Sequence, residues 1–165
     1  GRHRQPEREK RRKRGGSDKP GYDAGKKIKG KKRHILVDTL GLLMHGLVHG
    51  ADVQDRDGGV WVMATLFGLY PFLEKLYADG GYNSSGFKSG VKKAVRKAAV
   101  EIVKRSDQVK GFVVLPKRWI VERTIAWLNR CRRLAKDWEC KNRKARAFML
   151  WASIRFMLRK LCNSS

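Results

Sequence analysis

Hydrophobic periodicity is absent from the first twenty residues and then recurs in short blocks. His34 to Thr39 and Leu42 to His49 are apolar, partly β-branched runs split by a turn at Leu40 and Gly41, the signature of a hairpin. Before them, Gly21 to Lys32 is rich in glycine and lysine and reads as a loop able to lie along a phosphate backbone. Val60 to Leu73 is the longest apolar segment. Gly68 and Pro71 interrupt it, and it reads as a buried core helix, with Asp57 as its N-cap and Gly58 and Gly59 opening it. Lys75 to Ala78 predicts a short strand that delivers Asp79 into Gly80 and Gly81. Ser85 to Lys97 predicts a basic helix, Ala99 to Lys104 a further strand, and Val109 to Leu115 an approach to the next helix. From Lys117 to Glu139 the residues Val121, Thr124, Ile125, Leu128, Cys131, Ala135 and Trp138 recur at three- and four-residue steps, the period of a helix with one buried stripe. A last helix, Arg143 to Leu161, carries a stripe of Ala147, Leu150, Trp151, Ile154, Leu158 and Leu161, while Arg146, Arg155, Arg159 and Lys160 face elsewhere. The tryptophans and methionines in these patterns read as core.

Charge narrows the class of partner. With 39 Lys and Arg against 15 Asp and Glu in 165 residues, the net charge is +24 and the pI about 10.6. Such an excess points to a polyanion, nucleic acid before an anionic membrane surface. No run is long enough to span a bilayer, and no apolar stretch follows the basic opening as a secretory signal would require. The length is that of one domain with a real core. Cys131, Cys140 and Cys162 are odd in number and widely spaced, which fits neither a disulfide framework nor a zinc knuckle and suggests a reducing cytoplasm.

Several side chains are candidates for chemistry. Glu122 lies at the edge of its helical stripe near Trp119 and Ala126, where a carboxylate would be partly desolvated yet able to reach a ligand. The plainer alternative is an exposed glutamate pairing with Arg118 or Arg130. Asp79, at a strand end before two glycines, stands where backbone and ligand approach closely, although Asp-Gly turns are common without function. Asp38 is a turn-capping carboxylate or, less favoured, a substitute metal ligand. His45 and His49 fall on a strand, about 13 Å apart at roughly 3.3 Å per residue, too far to share an ion. Asp52, Asp55 and Asp57 do not keep calcium-loop spacing.

The segments GYDAGKKIKGKKRHILVDTLGLL, ADVQDRDG, LYADGGY and RWIVERTIAWLNRCRRLAKDWE resemble the C-terminal catalytic half of bacterial IS5-family insertion-sequence transposases, from about Gly21 to about Cys162. The resemblance implies an α/β fold, an RNase H-like mixed sheet flanked by helices, built from residues 21–165; residues 1–20, without hydrophobic period, read as a disordered basic arm, either a phosphate-gripping tail at Lys10 to Arg14 or a solvated segment. It makes Asp79 the second and Glu122 the third acid of an Asp, Asp, Glu triad, and Mg²⁺, or Mn²⁺ in its place, the cofactor. The partners implied are DNA at transposon ends and target, a homo-oligomeric active complex and the upstream half of the transposase. Lys26, Lys27, Lys31, Lys32, Arg118, Arg123, Arg130 and Arg133 are the candidate phosphate contacts. Arg118 and Glu122 keep the Arg-to-Glu spacing of a signature found around the third acid in related transposases, but Leu115 stands at its Tyr place and Asn129 at its Lys place.

Nothing in the chain matches the first acid. HRQPERE, His3 to Glu9, can be encoded by codons that, read one base on, give Ile-Asp-Ser-Gln-Ser-Val. In the family resembled, that motif holds the first Asp and belongs just before GYDAGKK. This suggests that about twenty residues are out of frame. In RNase H-like folds the missing strand lies between the His34 strand and the Asp79 strand, so its loss removes a ligand and opens the middle of the sheet. A non-catalytic nucleic-acid-binding module, such as a ribosome-associated protein, and a decayed reading frame are the competing classes.

Overall fold

The computed structural model describes residues 18, 21–25, 27–103, 117–136 and 138–163. The chain runs β1 (Gly21–Asp23), β2 (Ile28–Val37), β3 (Leu43–Gly50), α1 (Asp55–Ala64), β4 (Lys75–Asp79), a 3₁₀ turn (Gly80–Tyr82), α2 (Ser85–Ala94), β5 (Ala99–Val103), α3 (Arg118–Asn129) and α4 (Asn142–Cys162). The expected approach segment Val109 to Leu115 and all of the basic arm except Asp18 lie outside the described residues. Asp18 itself is tied in. Its carboxylate accepts from the Asn142 amide at 2.6 Å, supplying the first turn of α4 with the acceptor that Lys141 does not provide.

β2 and β3 form the expected antiparallel hairpin, paired from Lys31↔Gly50 to Val37↔Leu43 with an irregularity at Leu36 and Val37. Gly41 takes φ +82° in the turn, a conformation glycine adopts without cost. The reading of Gly21 to Lys32 as a loop is corrected: β1 pairs with the start of β2, Gly21 with Gly30 and Asp23 with Ile28. The glycine that suggested a loop serves close approach instead. A Cβ on Gly21 would fall 2.4 Å from the Ala51 nitrogen.

β4 and β5 pair in parallel, Lys75 with Ala99 through Asp79 with Val103. They form a two-stranded sheet separate from the three-stranded β1-β2-β3 sheet. Among the described residues no strand joins β2 to β4. The result is a mixed α/β arrangement consistent with a partial RNase H-like fold, with its sheet in two pieces.

α1 begins at Asp55, two residues before the expected cap, with Gln54 at the N-cap position and Asp55 and Asp57 both in the first turn, where carboxylates complement the helix dipole. It ends at Ala64 and does not continue to Leu73. The chain turns there, burying Leu66 completely while Phe67, Leu69 and Phe72 stay exposed, and Gly68 takes φ +77°. One core cluster joins Leu36, Val62, Met63, Leu66, Leu76, Phe87 and Val91, packing α1 and α2 against both sheet pieces. A second joins Leu43, Val48, Leu128, Leu134 and Met149.

Two helical expectations change here. α3 ends at Asn129, short of Glu139, because the chain tightens through Arg130 N–H to Trp127 O and Cys131 N–H to Leu128 O and turns Leu134, 2% exposed, into the core. α4 buries Ala145, Met149, Ala152 and Ser153 and leaves the expected stripe outside: Trp151, Ile154, Leu158 and Leu161 are exposed. Its packing face is set by β3, where the missing side chain of Gly46 makes room for Met149, whose Cε lies 2.4 Å from where a Cβ would stand. The tryptophans expected in the core are mostly outside it, with Trp61, Trp119, Trp138 and Trp151 all exposed.

Candidate functional site

A cavity of about 650 Å³ lies between the two sheet pieces, lined by β2 and β4 and by residues of α1 and α3. Asp79 and Glu122 both line it. Asp79 closes β4, and its Oδ1 accepts the Gly81 amide at 2.9 Å, so one lone-pair set is used by the turn and Oδ2 is left for other work. Tyr77, two residues earlier on the same strand face, accepts a hydrogen bond from Lys117 Nζ, whose ammonium also lies 3.7 Å from the ring centroid. Lys117 is the left-handed residue, φ 69°, immediately before α3. That contact straps the strand of one acid to the helix of the other. The two lysines also lower the Tyr77 pKa, Lys117 first through its hydrogen bond and Lys75 after it.

Glu122 is not desolvated as expected. Its side chain is 63% exposed and pairs at 3.0 Å with Arg118 one turn earlier, the plainer of the two geometries. Its exposure has a physical reason, since Val121, Glu122 and Ile125 line the open cavity between the sheet pieces. Ile125, on the same helix face, is 39% exposed.

Asp55 and Tyr82 line the cavity as well, and neither was expected there; Lys32, expected as a phosphate contact, is held among carboxylates instead. Lys32 Nζ sits between Asp23 at 2.9 Å and Asp55 at 3.1 Å and donates to Val53 O at 2.9 Å. Burial lowers the Lys32 pKa, but its hydrogen bonds to the two carboxylates outweigh that and raise it. Asp55 and Asp79 both reach Gly81: a Cβ there would lie 3.1 Å from Asp79 Oδ1 and 3.8 Å from Asp55 Oδ2. Burial first, then those two carboxylates, hold the Tyr82 pKa well above its usual value. Spacing alone could not find this set, because its members come from four elements.

At the cavity wall, where His34 lies, the histidines assemble in an unexpected way. His45 and His49 both lie on β3 and do not meet, as anticipated. His49 instead stacks on His34 of β2, with centroids 4.6 Å apart. The register pairs His34 with Leu47 and Lys32 with His49, which makes the two imidazoles diagonal neighbours on one face. His34 Nδ1 lies 2.8 Å from the Tyr82 hydroxyl.

Asp38 caps its turn, accepting from Leu40 N–H at 2.9 Å and Leu42 N–H at 2.7 Å. It does not line the cavity with Asp79 and Glu122, so the substitute-ligand role is set aside. Among the described residues no three Asp, Glu, His or Cys side chains are grouped closely enough to hold a metal ion. Asp79 and Glu122 carry hard carboxylate oxygens, the donors that divalent cations such as Mg²⁺ prefer.

The expected phosphate contacts divide. Lys26 lies outside the described residues. Lys32 is held as above, Lys31 donates to Glu139 O at 2.7 Å, and Arg118 pairs with Glu122. Arg123 donates to Leu40 O at 2.9 Å and is stacked between Trp119 and Trp127. Arg133 reaches Glu139 at 3.5 Å and covers the Phe148 ring. Lys27 and Arg130 are exposed.

The cavity thus gathers Asp79 and Glu122, with Asp23 and Asp55, inside a rim of lysines and arginines. Comparisons with known proteins identify the family. The family model described as "Transposase DDE domain" matches residues 3–157, and the chain belongs to that family, whose members use a divalent metal cofactor. It is also 33% identical over 118 residues to the "Putative transposase for insertion sequence element IS402" of Burkholderia cepacia, covering 64% of this chain and 52% of that protein. The chain therefore spans about half the length of that curated relative. No solved structure matches. No helix among the described residues is long and apolar enough to cross a membrane.

Proposed function

We propose that this chain is the C-terminal catalytic part of an IS5-type transposase and serves metal-dependent phosphoryl transfer on DNA, cleavage followed by strand transfer. The observation that carries the reading is the placement of Asp79, at a strand end, and Glu122, on α3, around one cavity rimmed by Lys29, Lys31, Arg33, Lys117 and Arg118. Mg²⁺, with Mn²⁺ as a substitute, is the cofactor such oxygen donors suit. Asp79 and Glu122 would hold it together with a third carboxylate from outside the described residues.

That third acid is the first Asp of the triad, read one base on from His3 to Glu9, on a strand belonging between β2 and β4. The parted sheet supports this placement. The upstream half of the transposase would then complete the protein, which assembles as a homo-oligomer on transposon ends in the bacterial cytoplasm. The chain alone has little or no activity.

The test is reconstitution. With the Ile-Asp-Ser-Gln-Ser-Val strand and the upstream half restored in frame, Mg²⁺-dependent cleavage of transposon-end DNA should appear, and Asp79→Asn or Glu122→Gln should each return it to background with DNA binding retained. Activity that survives Glu122→Gln overturns the site. A restored protein that binds DNA with no metal-dependent cleavage favours the non-catalytic reading.

A further inference from the structure

A second cavity, of about 510 Å³, opens between the hairpin turn at Gly41, α3 and the last turns of α4. Its chemistry differs from that of the acid-lined cavity. Among the described residues no Asp or Glu lines it, and Arg130, Arg159 and Lys160 do. Its aromatic surface is Trp127 and Phe156, with ring centroids 6.1 Å apart and planes inclined by 32°. Both rings are half-buried, so each keeps an accessible part at the cavity wall. Lys160 Nζ stands 5.8 Å from the Trp127 centroid, and the Thr124 hydroxyl is spent on Gly41 O at 2.8 Å. With the Ser153 hydroxyl also spent, donating to Leu150 O at 2.7 Å, the cavity's polar groups are the three cations and the neutral Asn163 amide.

A concave site with aromatic walls, several cations and no acid selects a ligand that is both flat and anionic. We propose that this cavity takes one nucleotide unit of a single DNA strand, its base against Trp127 and Phe156 and its phosphate on Arg130 and Arg159. The assignment rests on the DNA-acting reading above and adds a contact away from the carboxylates. Base stacking on aromatic side chains is tolerant of sequence, so the pocket senses an unpaired base without choosing which. The opposing account of the cations is local. Arg130 follows the end of α3, and Arg159 and Lys160 lie in the last turn of α4, where positive charge offsets helix dipoles. The two accounts differ in what the aromatic rings should do.

The experiment compares fluorescein-labelled oligothymidylate of five nucleotides with an abasic oligomer of the same charge, by anisotropy at fixed salt, on the full chain. The thymidylate should bind about tenfold tighter, and Phe156→Ala should erase that preference while leaving the abasic affinity nearly unchanged. Arg130→Gln with Arg159→Gln should weaken both oligomers and reduce the salt slope by about 0.7, the value for one phosphate contact on a single strand. Should Phe156→Ala fail to fold, Trp127→Phe serves, with a partial loss of preference and less quenching of indole fluorescence by thymidylate. Equal affinity for the two oligomers, a preference untouched by the ring variants, or arginine variants that lower only the melting temperature would each overturn the pocket. Failure of the transposase reading looks different: base preference would persist without metal-dependent cleavage in the reconstituted protein.

Discussion

Gly58 on α1 tests whether the histidine pair at the cavity wall is a rigid packing unit. A Cβ there would fall 2.4 Å from His34 Nε2, 2.7 Å from His34 Cδ2 and 2.6 Å from His49 Nε2. Two effects oppose each other in Gly58→Ala. Helix propensity favours alanine by about 0.8–1.0 kcal/mol, whereas overpacking a filled site typically costs about 1–3 kcal/mol. The rings have little room to retreat: His34 is stacked on His49 and lies 2.8 Å from the Tyr82 hydroxyl, and His49 has Trp61 edge-on at 5.7 Å. The upper part of the overpacking range applies, for a net loss of about 1–2 kcal/mol, or a melting point lower by roughly 3–6 °C for a domain of this size. Gly86 on α2 is the internal control. Nothing lies within 4 Å of a Cβ there, so Gly86→Ala should be neutral or stabilise by up to about 1 kcal/mol. Differential scanning calorimetry on both variants decides it. A Gly58→Ala protein as stable as the parent would mean that the stacked rings move freely and that this part of the cavity wall is not held by them.

Lys32→Met should cost about 2 kcal/mol in urea titrations, between the small worth of exposed pairs and the 3–5 kcal/mol of fully buried ones, because the ammonium is only 17% exposed and ties β2 to Asp23 and Asp55; a change under about 0.5 kcal/mol would sink that account. His45 has its pKa lowered by burial first and by Arg146 second, so the unfolded chain binds its proton more readily. Its contribution to stability is full above pH 6.5 and falls as pH drops toward the lowered folded value, and His45→Gln should remove that part of the slope in a pH series of melting curves. In DNA binding, Arg130→Ala should reduce the salt slope by about 0.7–0.9, whereas Arg133→Ala, whose guanidinium already meets Glu139 and Phe148, should leave it unchanged; equal effects would show that the Glu139 contact yields to phosphate.

The strand end at Asp79 could be read from the chain because its signal is local, a strand that stops and two glycines. As site acids, Asp79 and Glu122 were singled out by the resemblance, since the pattern around Glu122 fits an exposed pair with Arg118 equally well. The hairpin was legible for the same reason, in its turn at Leu40 and Gly41. What escaped depends on partners far along the chain. α4 carries apolar residues nearly all round, so its period could not choose a face, and the choice falls to Gly46, about a hundred residues earlier, where Met149 fits. Spacing along β3 rightly separated His45 from His49, yet only the register of β2 could bring His34 onto His49. The Lys32 contacts with Asp23 and Asp55 span two strands and a helix in the same way. Glu122 shows how far this reaches into function. Its place on the helix is a local matter, but whether it is desolvated depends on what stands between β2 and β4, and there its side chain is 63% exposed. A carboxylate that open keeps much of its hydration, and the Arg118 pair beside it is screened by water. Filling the gap with a strand would strip water from the cavity face of α3 and strengthen every charge interaction there. Under the proposed function the acids alone would therefore not make the site, and its electrostatic strength would come with the added strand.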